Sequence, residues 1–315
     1  MAGKIFVVTG ANKGIGYGIA RGLAQQVNGA TIYMTARTPS LGEKALDDLE
    51  KELGTKRISK LAFHQLDITD EKSCADFAAF LKKTHGGLDV LINNAGFAYK
   101  HNATESAAIQ ADVTIGVNYY GTKLISDQLG PLIRDGGRIV NVCSQMGVMG
   151  SQIGVMGNLY KQALIDQFKR ADVTSDDINT FVEEYKKLAH ADKRKEGGYP
   201  ESAYCVSKAA EIALSVLQAR ELAKRNIVVN AVSGRKLAFE TKANTLPSPH
   251  VPSLKLDISM GYCCPGYVDT DMTSHKGHLT IDQGADTPIF LAIDQSVQKG
   301  GLFYYQRKPI TWLQE

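Results

Sequence analysis

Short runs of apolar, mostly β-branched residues alternate along the chain with longer stretches whose apolar residues recur at helical spacing. Ile5–Val8, Thr31–Thr35, Leu61–Leu66, Val90–Asn93 and Arg138–Val142 carry few charges. Strands covered on both faces read this way. Leu41–Leu53 and Glu71–Thr84 gather apolar residues on one face and charges elsewhere, as amphipathic helices do. The alternation predicts an α/β fold: a doubly wound parallel sheet with helices on both sides. No fixed-period repeat is present, and residues 1–315 read as a single domain.

Two segments break the rhythm. Residues 145–203 contain two helical patterns, Asn158–Arg170 and Ile178–Ala189, followed by the loop HADKRKEGGYP; they read as a helical insertion. Residues 233–262 contain LPSPHVPSL and read as an irregular insertion. Two segments compete to be the sixth strand, NIVVNAV at 226–232 and LDISMGYC at 256–263. The position is central, so its strand should be apolar on both faces. Asp257 and Gly261 suit such a strand poorly, which favours NIVVNAV. Residues 233–262 then leave the sheet and return to deliver CCPG at 263–266.

Composition narrows the classes. Hydrophobic residues make up 43% and charged residues 22%, which excludes disorder for most of the chain. The net charge is +3 with no long basic run, so nothing points to nucleic acid. No apolar run approaches the ~18 residues of a membrane span. The apolar part of MAGKIFVVTG is too short for a signal peptide and reads as a strand. The five cysteines, Cys74, Cys143, Cys205, Cys263 and Cys264, fit neither a disulfide framework nor a zinc site. Reduced thiols and a cytoplasmic location are expected. The seven histidines show no metal-ligand spacing, so no metal is expected.

Several motifs carry chemistry. TGANKGIG places Gly10, Gly14 and Gly16 after the first strand and at the start of a helix. Glycines allow a tight turn and close approach to a pyrophosphate, whose charge the helix N-terminus stabilises. This is a dinucleotide loop of Rossmann type. Strand two ends YMTAR. An acid there would hold ribose hydroxyls; Arg37 stands there instead, with Lys13 in the glycine loop. Two cations at that corner favour NADPH over NADH, the bland alternative for Arg37 being a solvated surface residue. Asp67, in LDIT, either accepts the adenine amino group or forms a turn or cap. In NNAG, asparagine can hold neighbouring backbone while Gly96 lets a ribose come close. In YCVSK, Tyr204 and Lys208 are four apart and share a helix face. A lysine beside a phenol favours the phenolate, so Tyr204 can exchange a proton near neutral pH. Ser144, after strand five, can hydrogen-bond a carbonyl oxygen as charge develops there, and Asn118 sits in a helical pattern where an amide is a poor helix former.

These motifs, with CCPGYVDTDM, occur in the order found in the short-chain dehydrogenase/reductases, and the chain resembles that family over nearly its whole length. It is most similar to the monomeric carbonyl reductases, which share the long segment before Tyr204. The resemblance implies a catalytic tetrad of Asn118, Ser144, Tyr204 and Lys208. It implies cofactor contacts from Gly10, Asn12, Lys13, Gly14, Ile15, Gly16, Arg37, Asp67, Ile68, Asn94, Ala95, Gly96, Tyr204 and Lys208, with Val268 and Thr270 against the nicotinamide carboxamide. Gln110, Ser144, Gln145, Met146, Tyr204, Tyr267 and Met272 fall where the family lines its substrate pocket. The implied activity is NADPH-dependent reduction of a ketone, aldehyde or quinone by a monomer. A ketoreductase or dehydrogenase for a steroid, prostanoid or terpenoid is the neighbouring alternative. A dinucleotide-binding regulator without turnover is the alternative from another class. Two departures stand out. Tyr267 replaces the tryptophan usual after CCPG, and about thirty residues separate NIVVNA from CCPG.

Overall fold

The computed structural model describes residues 3–100, 102–150, 159–233, 268–274 and 277–314. The alternation of the sequence becomes an ordered series. It begins β1 (Ile5–Val8), α1 (Gly14–Gln26), β2 (Thr31–Ala36), α2 (Pro39–Leu53), β3 (Lys60–Gln65), α3 (Glu71–His85) and β4 (Leu88–Asn93). Then come α4 (Ala107–Ile115), α5 (Thr122–Leu129), β5 (Ile133–Val142), the short β6 (Met149–Gly150), α6 (Gln162–Lys169), α7 (Ser175–His190), α8 (Ala203–Leu222) and β7 (Val228–Ser233). After the undescribed stretch follow α9 (Ile281–Ile293), β8 (Phe303–Tyr305), β9 (Lys308–Ile310) and β10 (Leu313–Gln314).

The main sheet runs β3-β2-β1-β4-β5-β7-β8-β9 among the described residues. All its pairings are parallel except the last. The chain reverses order between β1 and β4, where ligands bind in such sheets, beyond the strands' carboxyl ends. The central strands are buried on both faces, β1 entirely so. One layer of core packs Phe6, Val8, Ile32 and Val140 against Ile19 and Leu23 of α1. The other packs Val7, Leu91 and Ile139 against Phe77 of α3 and Ile125 of α5.

NIVVNAV supplies β7, in register between β5 and β8. Its one interior amide is satisfied: Asn230 donates to Lys299 O and accepts from Leu302 N, both at 3.0 Å. Its rival, LDISMGYC, lies outside the described residues, as does the irregular insertion apart from Ser233. The parallel sheet ends in one antiparallel pair. β9 pairs antiparallel with β8, because Gln306 and Arg307 both take positive φ, at 46° and 61°, and close a tight hairpin. As an outer strand it tolerates Pro309.

The helices expected in 145–203 form as α6 and α7, although Asn158 lies outside the described residues. A capping box, Thr174 with Asp177, starts α7. Ile178, Phe181 and Tyr185 of α7 are buried where α7 packs on α4 and α8, while Ile165 and Phe168 of α6 are buried in the same cluster, Phe168 against Phe181 and Trp312. β6 pairs with β10, so Met149 N donates to Trp312 O at 2.8 Å.

Candidate active site

The glycine loop is held from below by strand β4. Gly10 and Gly14 take positive φ, 63° and 56°, which glycine adopts without strain. A Cβ on Gly16 would lie 2.4 Å from Asn94 Nδ2 and 2.6 Å from Gly10 O, so only glycine fits where α1 starts. Asn94 Nδ2 donates to Thr9 O (2.9 Å) and Gly10 O (3.2 Å). Thr9 Oγ1 in turn accepts from the backbone N–H groups of Asn94 and Ala95, each at 2.9 Å. Thr9 was not singled out in the sequence. Its place directly before the first glycine was the available signal.

Above the loop opens a cavity of about 560 Å³. From the glycine loop, Gly10, Asn12, Lys13, Gly14 and Ile15 line it. Arg37, Asp67 and Ile68 line it at the ends of β2 and β3, and Asn94, Ala95 and Gly96 at the end of β4. Tyr204 and Lys208 reach it from α8, and Thr270 and Met272 from the segment before α9. Arg37 is exposed, and no described side chain pairs with its guanidinium. Lys13 forms an ion pair with Asp271 at 2.7 Å. Asp67 makes the turn that its residue type allows. It lines the cavity while Oδ1 accepts from Thr69 N (2.9 Å) and Thr69 Oγ1 (2.7 Å) in a turn.

Asn118 sits in a π-helical turn, Gly116–Gly121, between α4 and α5. Such widened turns recur at functional sites. Its Oδ1 accepts from Phe97 N at 2.7 Å, and its Nδ2 donates to Phe97 O and Ser207 Oγ, each at 2.9 Å. The amide therefore ties the chain after Gly96 to α8. Ser207, whose Oγ donates to Tyr204 O at 2.8 Å, was missed by sequence reasoning, as was Glu211. Lys208 Nζ donates to Val142 O at 3.1 Å and lies 2.6 Å from Glu211 Oε2, both side chains being buried.

The residues expected on the substrate side are less gathered. Ser144 is buried, and its Oγ accepts from Met146 N at 3.1 Å. Gln145 is held through its backbone N–H, which donates to Ser233 Oγ at 3.1 Å. Met146 packs with Tyr204 and Cys205. Gln110 donates to Glu105 O at the start of α4 and is not in the cavity wall. Val268 is buried against Gly284 of α9 rather than in the wall. Tyr267, Cys263 and Cys264 lie outside the described residues. Burial pushes the Cys143 thiol well above its ordinary range and Cys74 up to about 12, so both are inert. Among the described residues no cluster of histidine, cysteine and carboxylate could hold a metal.

The short chain dehydrogenase family matches residues 4–170. Carbonyl reductase (NADPH) 1 of Bos taurus is 36% identical over 316 residues, covering 98% of each chain. The chain belongs to the short-chain dehydrogenase family. The Homo sapiens carbonyl reductase (NADPH) 1 is 35% identical, again over 98% of both chains. Among solved structures, menthone neomenthol reductase from Mentha piperita is 25% identical, with a TM-score of 0.71 over 96% of this chain and 98% of that one. Salutaridine reductase from Papaver somniferum is 24% identical, with a TM-score of 0.75, and shares the fold.

Proposed function

We infer that the protein is an NADPH-dependent carbonyl reductase acting on a ketone, aldehyde or quinone. The observation that carries this reading is the meeting of Tyr204 and Lys208, one helical turn apart, with Arg37 and the glycine loop in the wall of one cavity. The similarity to carbonyl reductases over 98% of the chain supports it. The residues present fit NADPH: Gly10 and Gly14, both at positive φ, line the cavity at the start of α1, and Arg37 offers an exposed cation for a 2′-phosphate. Bound NADPH supplies the hydride.

The chain's own groups handle the proton and the carbonyl. Tyr204 holds the proton given to the carbonyl oxygen. Lys208 provides positive charge beside the phenol and favours its ionised form. Ser144 Oγ accepts from Met146 N, which leaves its own O–H to donate to the carbonyl oxygen. Asn118 positions the chain after Gly96 through both atoms of its amide.

The deciding assay follows NADPH absorbance with a simple quinone and an aldehyde. Steady oxidation is expected. Tight NADPH binding without oxidation across a broad carbonyl panel would favour a non-catalytic dinucleotide-binding regulator. The likeness to menthone neomenthol reductase favours including terpenoid ketones in that panel, beside steroids and prostanoids.

The single-domain organisation, a monomeric state and a cytoplasmic location belong to the same reading. Many short-chain relatives assemble through the helices equivalent to those after Asn118 and around Tyr204. Here α7 covers α4 and α8, burying Phe181 and Tyr185. Sedimentation at micromolar concentration should give the mass of one chain, and a stable tetramer would refute the monomer. No helix among the described residues is long and apolar enough to cross a membrane.

A further inference from the structure

Glu211 is a buried carboxylate that the chemistry above does not use. It lies three residues beyond Lys208 on α8 and is 1% exposed. Its Oε2 is 2.6 Å from Lys208 Nζ, close but poorly aligned for a hydrogen bond. Its Oε1 accepts from Thr122 Oγ1 at a long 3.4 Å. Among the described residues it is also faced by the Cys143 thiol, at the end of β5, which stays protonated. A carboxylate with one ammonium and one weak donor is poorly compensated for the water it has lost. Burial accordingly pushes Glu211 up to about 7, against the pull of Lys208. The lysine lines the cavity and the glutamate does not. Glu211 is therefore an ion-pair partner of the ammonium that stands outside the cavity wall.

We propose that Glu211 is a positioning residue that competes with the cofactor for the Lys208 ammonium, so that loss of its proton weakens NADPH binding. The proposal rests on the reading that Lys208 faces the cofactor. Two effects act in the same direction. An ionised Glu211 holds Lys208 back, and it adds a negative charge behind a cavity that must accept an anion. Binding an anion then raises the proton affinity of Glu211, and by linkage a protonated Glu211 favours binding. The penalty is absent well below pH 7 and grows as pH rises through the range where Glu211 ionises.

The test is NADPH affinity, measured by cofactor fluorescence at about pH 6 and about pH 8, for the wild type and Glu211→Gln. If the cofactor raises the proton affinity of Glu211 about tenfold, Glu211→Gln binds about fivefold tighter than the wild type at the higher pH and about equally at the lower. The ratio between the two proteins cancels the titration of the 2′-phosphate itself. An equal ratio at both pH values, or weaker binding by the variant at the higher one, would overturn the proposal. Glu211→Met, also unable to ionise, should behave like Glu211→Gln; failure of both to fold makes Glu211 a folding determinant and overturns it too. Lys208→Met separates the proposal from the reading beneath it. If Lys208→Met binds NADPH as the wild type does, the placement of Lys208 fails. If that variant binds weakly while Glu211→Gln tracks the wild type, only the role of Glu211 fails.

Discussion

From Gly10 to Gly96 the cavity wall consists of strand ends and the turns that leave them, the ends of β1 and β4 being tied together by side chain–backbone hydrogen bonds of Thr9 and Asn94. From Val142 to Met272 it is assembled from parts distant in sequence: the end of β5, one turn of α8 and the segment before α9. The first region is fixed by the sheet itself. The second depends on contacts between separate segments, such as Gln145 N with Ser233 Oγ. Recognition of an invariant cofactor suits the first design, and adaptation to different carbonyls suits the second. Substitutions should therefore act sharply on the cofactor side and at Tyr204, and weakly among the remaining substrate-side residues.

The largest effect is expected at Tyr204, where the comparison would break if it were wrong. Tyr204→Phe keeps the ring and removes only the hydroxyl. Turnover should fall about 10²-fold or more while NADPH affinity changes little, a split read by steady-state kinetics beside a fluorescence titration. Turnover near the wild-type value removes Tyr204 from the reaction. Next comes Arg37→Asp, which deletes a charge-assisted bond and adds a repulsion. NADPH binding should weaken by about 2 kcal/mol and NADH binding hardly at all, as titration with the two cofactors will show. Equal losses for both would mean that Arg37 does not meet a 2′-phosphate.

Smaller still is Gly16→Ala. The new methyl would meet Asn94 Nδ2 and Gly10 O at 2.4 and 2.6 Å, so the loop must shift. A loss of about 1 kcal/mol in stability, seen as a lower Tm, should accompany weaker cofactor binding. An unchanged Tm would show that the loop is looser than its contacts imply. The smallest effect is reserved for Gln110→Ala, since Gln110 Nε2 is committed to Glu105 O. Its kcat/KM should stay within about twofold of wild type for any carbonyl, and a selective loss for one substrate would move Gln110 back into the pocket.

Sequence reading reached the two regions unequally, for the same physical reason. Strands β1 to β5 and β7 were legible because a strand buried on both faces must be apolar throughout. The glycine loop was legible because its backbone geometry restricts residue type. Tyr204 and Lys208 were legible because four residues on a helix is one face. The hairpin of β8 and β9 was missed because its turn, Gln306–Arg307, lacks the glycine or asparagine that usually marks positive φ. Thr9 and Ser207 act through hydrogen bonds to residues whose proximity only the fold creates, and the burial of Glu211 beside Lys208 likewise comes from the fold. Nor could spacing reveal that the amide of Gln110 turns back to its own helix start.

The pairing of β6 with β10 bears on the order in which the protein is made. Domains and their parts emerge from the ribosome with the N-terminal portion first. The glycine loop and its support from β4 are complete early, whereas the strand partner of Met149 arrives only with Trp312 to Gln314. A nascent chain can therefore shape its nucleotide cradle long before it pins the segment that follows Ser144.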